Sequence, residues 1–401
     1  MKAGEVATCL QGPGLREPAK GHATLRAIGA LIPEPGLVAR WLPQLARQVM
    51  ASCEPDRALN NWERFFRSIE SPADFLLRLE SAPQMLPALT TLFASSQYLT
   101  DMVQQSPDIV ARLGQAQHLS TPRTQEAMAQ DLRAALEQPG AHGLSPALED
   151  QFRLLRRFKK REVVRIGLRD LLRQADLVET TEDLANLADV CLAGAYESCL
   201  RELTARYGEP RGLDAAGVTR PSEFTILGLG KLGGQELNFS SDIDLLFLYT
   251  ADGETTGVAG PDGRVSNQIT THEFFLRLAR LLLRAIHDIT EEGNVFRVDL
   301  RLRPDGRGGP LVNSLHALET YYQYWGKTWE RQMLLKARVA AGSEKLGREF
   351  FHMIHPFIFR KYLDAGALQE IKQIKEQIDR SQEQRRTRRI NIKLGWGGIR
   401  E

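Results

Sequence analysis

Residues 228–249 read GLGKLGGQELNFSSDIDLLFLY. A glycine-rich turn leads through Asn238, Phe239, Ser240 and Ser241 to Asp242, Ile243 and Asp244, and then to an apolar run. In an extended strand, residues two apart share a face at about 6.5–7 Å. Asp242 and Asp244 are therefore expected on one side of a strand. Carboxylates that close raise each other's pKa unless positive charge lies between them. A hard divalent cation, Mg²⁺ or Mn²⁺, supplies that charge and also accepts substrate phosphate oxygens. Beyond the aspartates both faces are apolar, which predicts a central strand with the pair at its mouth.

The segments on either side extend this pattern. EFTILGL predicts a strand entering the glycine turn, and VFRVDLRLR (295–303) predicts a third strand. In that strand Asp299, Arg301 and Arg303 alternate with Val298, Leu300 and Leu302. Three aspartates can hold two metal ions for in-line attack at phosphorus. The two guanidiniums can grip phosphate oxygens. Glycines at 228, 230, 233 and 234 let the backbone turn tightly and approach a ligand. If KLGGQEL opens a helix, its free N–H groups form an anion site, with Lys231 adding a point charge. Gly230, Lys231, Gly233 and Ser241 are the nucleotide- and phosphate-contact candidates, with Arg301 and Arg303 next. The catalytic and metal candidates are Asp242, Asp244 and Asp299. A lone Asp-x-Asp is ordinarily a turn or a solvated strand end. The preceding glycine turn and the second Asp-bearing strand turn it into a site. The pattern is neither a Rossmann fingerprint nor a Walker A loop, and its order resembles the nucleotidyltransferase superfamily.

Outward from this block, residues 1–220 read as successive helices. SPADFLLRLESA and SPDIVARLG open on Ser-Pro, an N-cap followed by proline at the first helical position. STPRTQEAMAQDLRAALEQPG repeats that opening. RALNNWERFFRSI carries Leu59, Trp62, Phe65 and Phe66 at helical spacing. QFRLLRRFKKREVVRIGLRDLLRQA reads as a long amphipathic helix, and Gly208 as the C-cap of the next one. GEPRGLDAAGVTRPSE marks a boundary. THEFFLRLARLLLRAIHDI, WERQMLLKAR and LQEIKQIKEQIDRSQEQRR predict later helices. The fold class is α+β: a mixed α/β catalytic unit at 221–342 inserted between all-α regions at 1–220 and 343–401.

Formal net charge is +2 over 401 residues, which disfavours a nucleic-acid coat, as does the lack of aromatic–basic interleaving. No apolar run reaches the roughly 18 residues of a membrane span. The N-terminus lacks the apolar segment of a secretory signal, so a cytoplasmic location is expected. Cys9, Cys53, Cys191 and Cys199 lack metal-ligand spacing and read as buried free thiols. The runs RRFKKR (156–161) and RRTRR (385–389) read as solvated helix faces, with an acidic docking partner as the alternative. His287 reads as a packing residue. The aromatic group Tyr321, Tyr322, Tyr324, Trp325 and Trp329 reads as core, with an adenine pocket as the alternative.

Four long motifs carry a closer resemblance: GLGKLGGQELNFSSDIDLLFLY, VDLRLRPDGRGGPLV, YYQYWGKTWERQMLLKAR and NIKLGWGGIRE. They resemble the bifunctional glutamine synthetase adenylyltransferase/adenylyl-removing enzymes. RALNNWERF and LLRRFKKREVVRIGLRDLL fit the same family, so the likeness runs nearly the length of the chain. It implies a polymerase beta-like nucleotidyltransferase fold and two divalent ions. The implied partners are adenylylated glutamine synthetase, ADP/ATP, inorganic phosphate and, for the whole protein, the PII signal protein. That family has two nucleotidyltransferase domains. Asn238 to Asp244 resembles the N-terminal, adenylyl-removing one; the adenylylating domain usually has Tyr-Gly-Ser-Asp-Leu-Asp. With one such motif present, the resemblance implies an N-terminal portion of a protein about twice as long. Trp396 departs from the family's usual proline. The expected activity is phosphorolysis of adenylyl-tyrosine, releasing ADP and regulating nitrogen assimilation. An ATP-dependent protein adenylyltransferase and a non-catalytic docking module are the alternatives.

Overall fold

The computed structural model describes residues 15–114, 117–138, 147–213, 217–359 and scattered positions between 366 and 380. By contacts the chain divides into two interleaved units. The first comprises Met1–Ala195, Gln235–Ser241 and Ala285–Phe296, and the second Tyr196–Gly234, Asp242–Arg284 and Arg297–Glu401.

The first unit is helical. Its opening helices are α1 (Pro18–Ala30), α2 (Pro35–Met50), α3 (Pro55–Ser68) and α4 (Pro72–Ser81), each with proline in the first turn, where the missing N–H is not needed. Ser71 caps α4 as the sequence predicts, accepting from the Asp74 N–H. For the later segment the cap moves along to Thr124, which accepts from Ala127. The centre is Trp62, fully buried against Phe65, Phe66, Phe75 and Phe93, with its indole N–H donating to Thr90 at 3.1 Å.

The long helix Leu148–Leu171 departs from the amphipathic expectation. Arg156, Lys159, Lys160, Glu162, Arg165 and Arg169 on it are all buried, so RRFKKR is not a solvated face. The physical reason is local compensation. Glu162 accepts from Arg123, Arg161 and Arg165, and Arg165 also reaches Asp183. Lys160 and Arg157 meet Glu292. The second basic run, RRTRR, lies outside the described residues, as does Trp396. Cys191 and Cys199 are buried as expected, but Cys53 is exposed and Cys9 is not described. His287, expected to pack, is exposed at the end of the helix Thr271–His287.

The second unit is built on a five-stranded mixed sheet, an α+β arrangement. Strand β3 (Phe224–Leu229) pairs antiparallel with β4 (Ile243–Tyr249) and with β9 (Arg338–Gly342). The other edge of β4 takes two short parallel partners, β7 (Val298–Asp299) near its start and β8 (Val312–Ser314) at its end. Two further hairpins precede and follow β3–β4: β1 (Arg211–Leu213) with β2 (Thr219–Pro221), and β5 (Val258–Ala259) with β6 (Val265–Ser266). Gly208 closes the preceding helix at φ +75, as expected of a C-cap.

Register decides which side chains share a face. Leu227 and Leu229 of β3 face Leu246 and Asp244 of β4. The apolar part of that face is covered by Leu318 and Tyr322 of the helix Leu315–Tyr324, Leu334 of Thr328–Leu334, and Leu346, Phe350 and Ile354 of Glu344–Ile358. Each such buried side chain contributes roughly 1.5–3 kcal/mol. The helix Glu344–Ile358 thus completes this core, so the chain does not divide at 343. On the opposite face Phe224 stacks with Phe247, Phe275 and Tyr196.

Candidate active site

Asp244 continues the row formed by Leu246 and Leu248, at the end of β4. The parallel pairing of β4 with β7 places Asp244 directly opposite Asp299. Two candidates from separate segments of the chain therefore meet side by side, and Asp242 lies two residues outside along the same chain. Asp242 and Asp299 are each turned to an arginine: Arg297 donates to Asp242 at 2.5 Å, and Arg301 donates through Nε to Asp299 at 2.8 and 3.0 Å. The backbone N–H of Arg301 also donates to Asp299 at 2.8 Å, an Asx-type turn closing the strand. These bonds from Arg301, its side chain first, hold the Asp299 carboxyl below the usual carboxylate range. Arg301 is raised in turn, first by its bond to Asp299, then by that charge, and further by Asp244 and Asp242. One guanidinium thus feels all three carboxylates.

The carboxylates supply hard oxygen donors on a common side of one strand end, and they already accommodate a cation there in Arg301. That donor set fits Mg²⁺ or Mn²⁺. Among the described residues no group of three or more acidic, histidine or cysteine side chains is gathered closely enough to hold a metal ion as the side chains stand, with Asp242 and Asp299 each turned to an arginine.

The glycine turn differs from expectation in length. The helix at Gly230–Gly233 is a single turn, and Gln235 follows at φ +52. KLGGQEL therefore opens no long helix, because a left-handed residue ends it. Gly230 stands at φ +55, and a Cβ built there would lie 2.6 Å from Asp244 Oδ2. It is the glycine that adjoins the carboxylates. Lys231 follows it, half-buried, on the same turn. Gly233 is buried, and a Cβ there would lie 2.2 Å from the Lys336 carbonyl oxygen. That glycine admits a neighbouring backbone. Ser241 donates its N–H to the Asn238 carbonyl and belongs by contacts to the first unit.

The third expected strand is corrected. VFRVDLRLR is a strand only at Val298–Asp299, and turns begin at Arg301. Pro304, Gly306, Gly308, Gly309 and Pro310 interrupt what would otherwise be one edge strand, leaving β7 and β8 as its two remnants. Arg303 accordingly does not share a strand face with Asp299. Its guanidinium is spent on backbone carbonyls of Leu300 at 2.8 Å, Pro310 at 3.1 Å, and Arg307 and Gly309 at 3.2 Å. Arg303 is a staple for its own loop and is withdrawn from phosphate contact.

Arg297 was missed by sequence reasoning. Its signal was present, since it stands two residues before Asp299 in the same alternation. The aromatic group divides: Tyr322 is buried, Tyr321 and Trp329 are half-buried, and Tyr324 and Trp325 are exposed. It is therefore not a uniform core cluster.

With this geometry in place, relatives can be compared. A sequence profile described as glutamate-ammonia ligase adenylyltransferase matches residues 86–353. The chain is 43% identical over 314 residues to a bifunctional glutamine synthetase adenylyltransferase/adenylyl-removing enzyme of Thioalkalivibrio sulfidiphilus, covering 78% of this chain and 30% of the relative. The similarly named protein of Pseudomonas aeruginosa is 40% identical over 328 residues, 81% of this chain and 32% of its own length. That of Nitrosococcus oceani is 47% identical over 250 residues, 62% and 24% respectively. The chain thus spans about a third or less of the length of these relatives. No helix among the described residues is long and apolar enough to cross a membrane. The profile match covers most of the second unit's sheet and much of the first unit's helices, and on that ground the chain belongs to the glutamate-ammonia ligase adenylyltransferase family.

Proposed function

We propose that the sheet unit is a nucleotidyltransferase that removes AMP from an adenylylated tyrosine of glutamine synthetase, using inorganic phosphate and releasing ADP. The observation that carries this reading is the register pairing of Asp244 with Asp299, beside Gly230, which stands at φ +55 and where a Cβ would lie 2.6 Å from Asp244 Oδ2. The choice of removal over addition rests on Asn238-Phe239-Ser240-Ser241, which resembles the removing domain of the family.

In this reaction a phosphate oxygen attacks the adenylyl phosphorus, and the bond from phosphorus to the tyrosine oxygen breaks. The departing phenolate takes a proton from solvent or phosphate. An unperturbed tyrosine has a pKa near 10, and phosphate arrives already anionic, so the site needs no strong general base. Asp242, Asp244 and Asp299 would hold one or two Mg²⁺ or Mn²⁺ ions. When bound, these neutralise charge on both anions and polarise the phosphorus centre. Arg301, exposed and on the carboxylate side, is placed to take up phosphate oxygens as a bidentate donor. Gly230 keeps the backbone close enough for the nucleotide to lie against it, and Lys231 adds a charge on the same turn.

The test mixes the chain with adenylylated glutamine synthetase, Mg²⁺ and phosphate and follows ADP. ADP release that requires phosphate, and is lost in Asp242→Asn with its unfolding transition intact, supports the reading. Retained phosphate-dependent release by that variant defeats the metal assignment. AMP incorporation from ATP into unmodified glutamine synthetase, without ADP release from the adenylylated form, would replace removal by addition. Failure to bind Mg²⁺ or Mn²⁺ in calorimetry would leave a docking module.

A further inference from the structure

The turn that follows β3 is too short to hold itself. Gly230–Gly233 is a single helical turn, closed by the Gly234 N–H on the Gly230 carbonyl at 3.1 Å. One turn fixes several dihedrals for one hydrogen bond, which is unfavourable in isolation. Its position is therefore set from outside. Leu232 is fully buried over Gly228, where a Cβ would come 3.0 Å from Leu232 Cδ2. Gly233 lies against the Lys336 carbonyl. The directional hold is Arg338, at the start of β9. Its guanidinium donates from Nη2 to the Leu232 carbonyl at 3.1 Å and from Nη1 to the Val339 carbonyl at 3.1 Å.

We infer that Arg338 is a positioning residue, which ties the glycine turn to β9 and so sets Gly230 and Lys231 against the carboxylates. For its consequence in nucleotide binding and turnover the inference rests on the reading above. The strand order β7-β4-β3-β9 brings these groups to one end of the sheet. Asp299 stands opposite Asp244, Asp244 opposite Leu229, and Arg338 opposite Gly228. Partners across a ladder share a face, and neighbours along a strand alternate. Arg338 thus shares the face of Gly228, while Asp244 and Leu229 share the other. It reaches the site through the turn and not by pointing at the carboxylates. The carbonyl it takes belongs to the residue after Lys231 and stands two residues from Gly230, the glycine that adjoins Asp244. An arginine serving β9 alone would need only its bond to Val339. The second bond joins β9 to a carbonyl 106 residues earlier, and a planar fork occupied at both ends fixes direction as well as distance.

Arg338→Met keeps the aliphatic stem and removes both bonds, and Arg338→Lys keeps the charge without the fork. In the full chain, amide exchange of residues 230–234 is compared with that of β4, and ADP affinity is measured by calorimetry with Mg²⁺ present. Losing a hydrogen bond of this kind predicts about 3–10-fold faster exchange in the turn of Arg338→Met, with β4 unchanged. ADP affinity falls by a similar factor, and kcat for ADP release falls while KM for adenylylated glutamine synthetase is kept. Arg338→Lys lies between Arg338→Met and wild type. Lys231→Ala costs less ADP affinity in Arg338→Met than in wild type, because two residues acting through one turn are not additive. Wild-type turn exchange in Arg338→Met overturns the positioning role. Faster exchange with unchanged ADP affinity and kcat also overturns it, leaving a purely structural tie, and so does full additivity with Lys231→Ala. A wild-type chain that binds ADP but releases none from adenylylated glutamine synthetase removes the phosphorolysis reading alone, since turn exchange and ADP affinity still report on Arg338.

Discussion

Gly230→Ala is the substitution whose effect the geometry specifies most closely. Gly230 stands at φ +55, and an added Cβ would lie 2.6 Å from Asp244 Oδ2. Ordinary contact begins near 3.4 Å, so the carboxylate must retreat by the difference, 0.8 Å. An alanine in the left-handed region costs about 1–2 kcal/mol. Little more is added, because the obstructing atom is the end of a side chain that can rotate. The catalytic consequence is larger, since misplacing a reacting group by about 1 Å can cost on the order of 100-fold in rate. The expectation is a fall in kcat of roughly 10–100-fold at saturating Mg²⁺, with stability reduced by only about 1–2 kcal/mol. Chemical denaturation gives the second quantity and phosphate-dependent ADP release the first. A variant with wild-type kcat, or one whose lost activity merely follows its unfolded fraction, would refute the reasoning. Gly233→Ala is the control. Its Cβ would meet the Lys336 carbonyl oxygen at 2.2 Å and that of Gly228 at 2.7 Å. Those are backbone atoms that cannot rotate away, so its stability loss should exceed that of Gly230→Ala.

Three other outcomes follow from charge. Asp299 has a depressed pKa in the folded state, so its contribution to stability is complete above the ordinary carboxylate range and is lost as pH falls through the folded value. Asp299→Asn should therefore flatten the acid side of the stability profile while abolishing ADP release; an unchanged acid limb would contradict the ion pair with Arg301. Glu162→Leu leaves Arg123, Arg161 and Arg165 facing one another without their shared carboxylate. It should lower stability by about 3–5 kcal/mol, read from the denaturation midpoint. Lys159 is buried without a carboxylate partner among its described contacts and rests near the Phe296 ring, and burial lowers its pKa to about 8. The unfolded chain then holds the proton between about pH 8 and 10.5 when the folded one does not, so this group makes stability rise with pH across that window. Lys159→Met should raise stability at pH 7 by roughly 1–3 kcal/mol and remove that rise; a destabilised variant would show that the ammonium is compensated.

How much of this was legible in the sequence differs from element to element. The helices of the first unit were visible because their proline starts and apolar spacing are local signals, as at Pro55 with Trp62, Phe65 and Phe66. Strands β3 and β4 were visible because the short, mostly apolar runs FTILGL and LLFLY are bounded by glycine or aspartate. The third strand was misjudged because the alternation of VDLRLR was allowed to outweigh Pro304 and Gly306. The buried charges of Lys160 and Arg165 were hidden for a different reason. Their compensating groups include Glu292 and Glu162, and a helical pattern read alone cannot show that a carboxylate more than 100 residues away is present.

The sequence by itself determined the chemistry available: three aspartates, a glycine that a left-handed turn demands, and arginines near them. Residue type and short-range spacing are properties of the chain, and they suffice to propose a nucleotidyltransferase-like set. Only the tertiary structure decided which of these groups meet. Parallel pairing of β7 on β4 brings Asp299 opposite Asp244, a register that no local pattern encodes. The same fold turns Arg303 away onto carbonyls. Hydrogen-bond ladders and packing between distant segments fix those choices, and they act only once the sheet has formed.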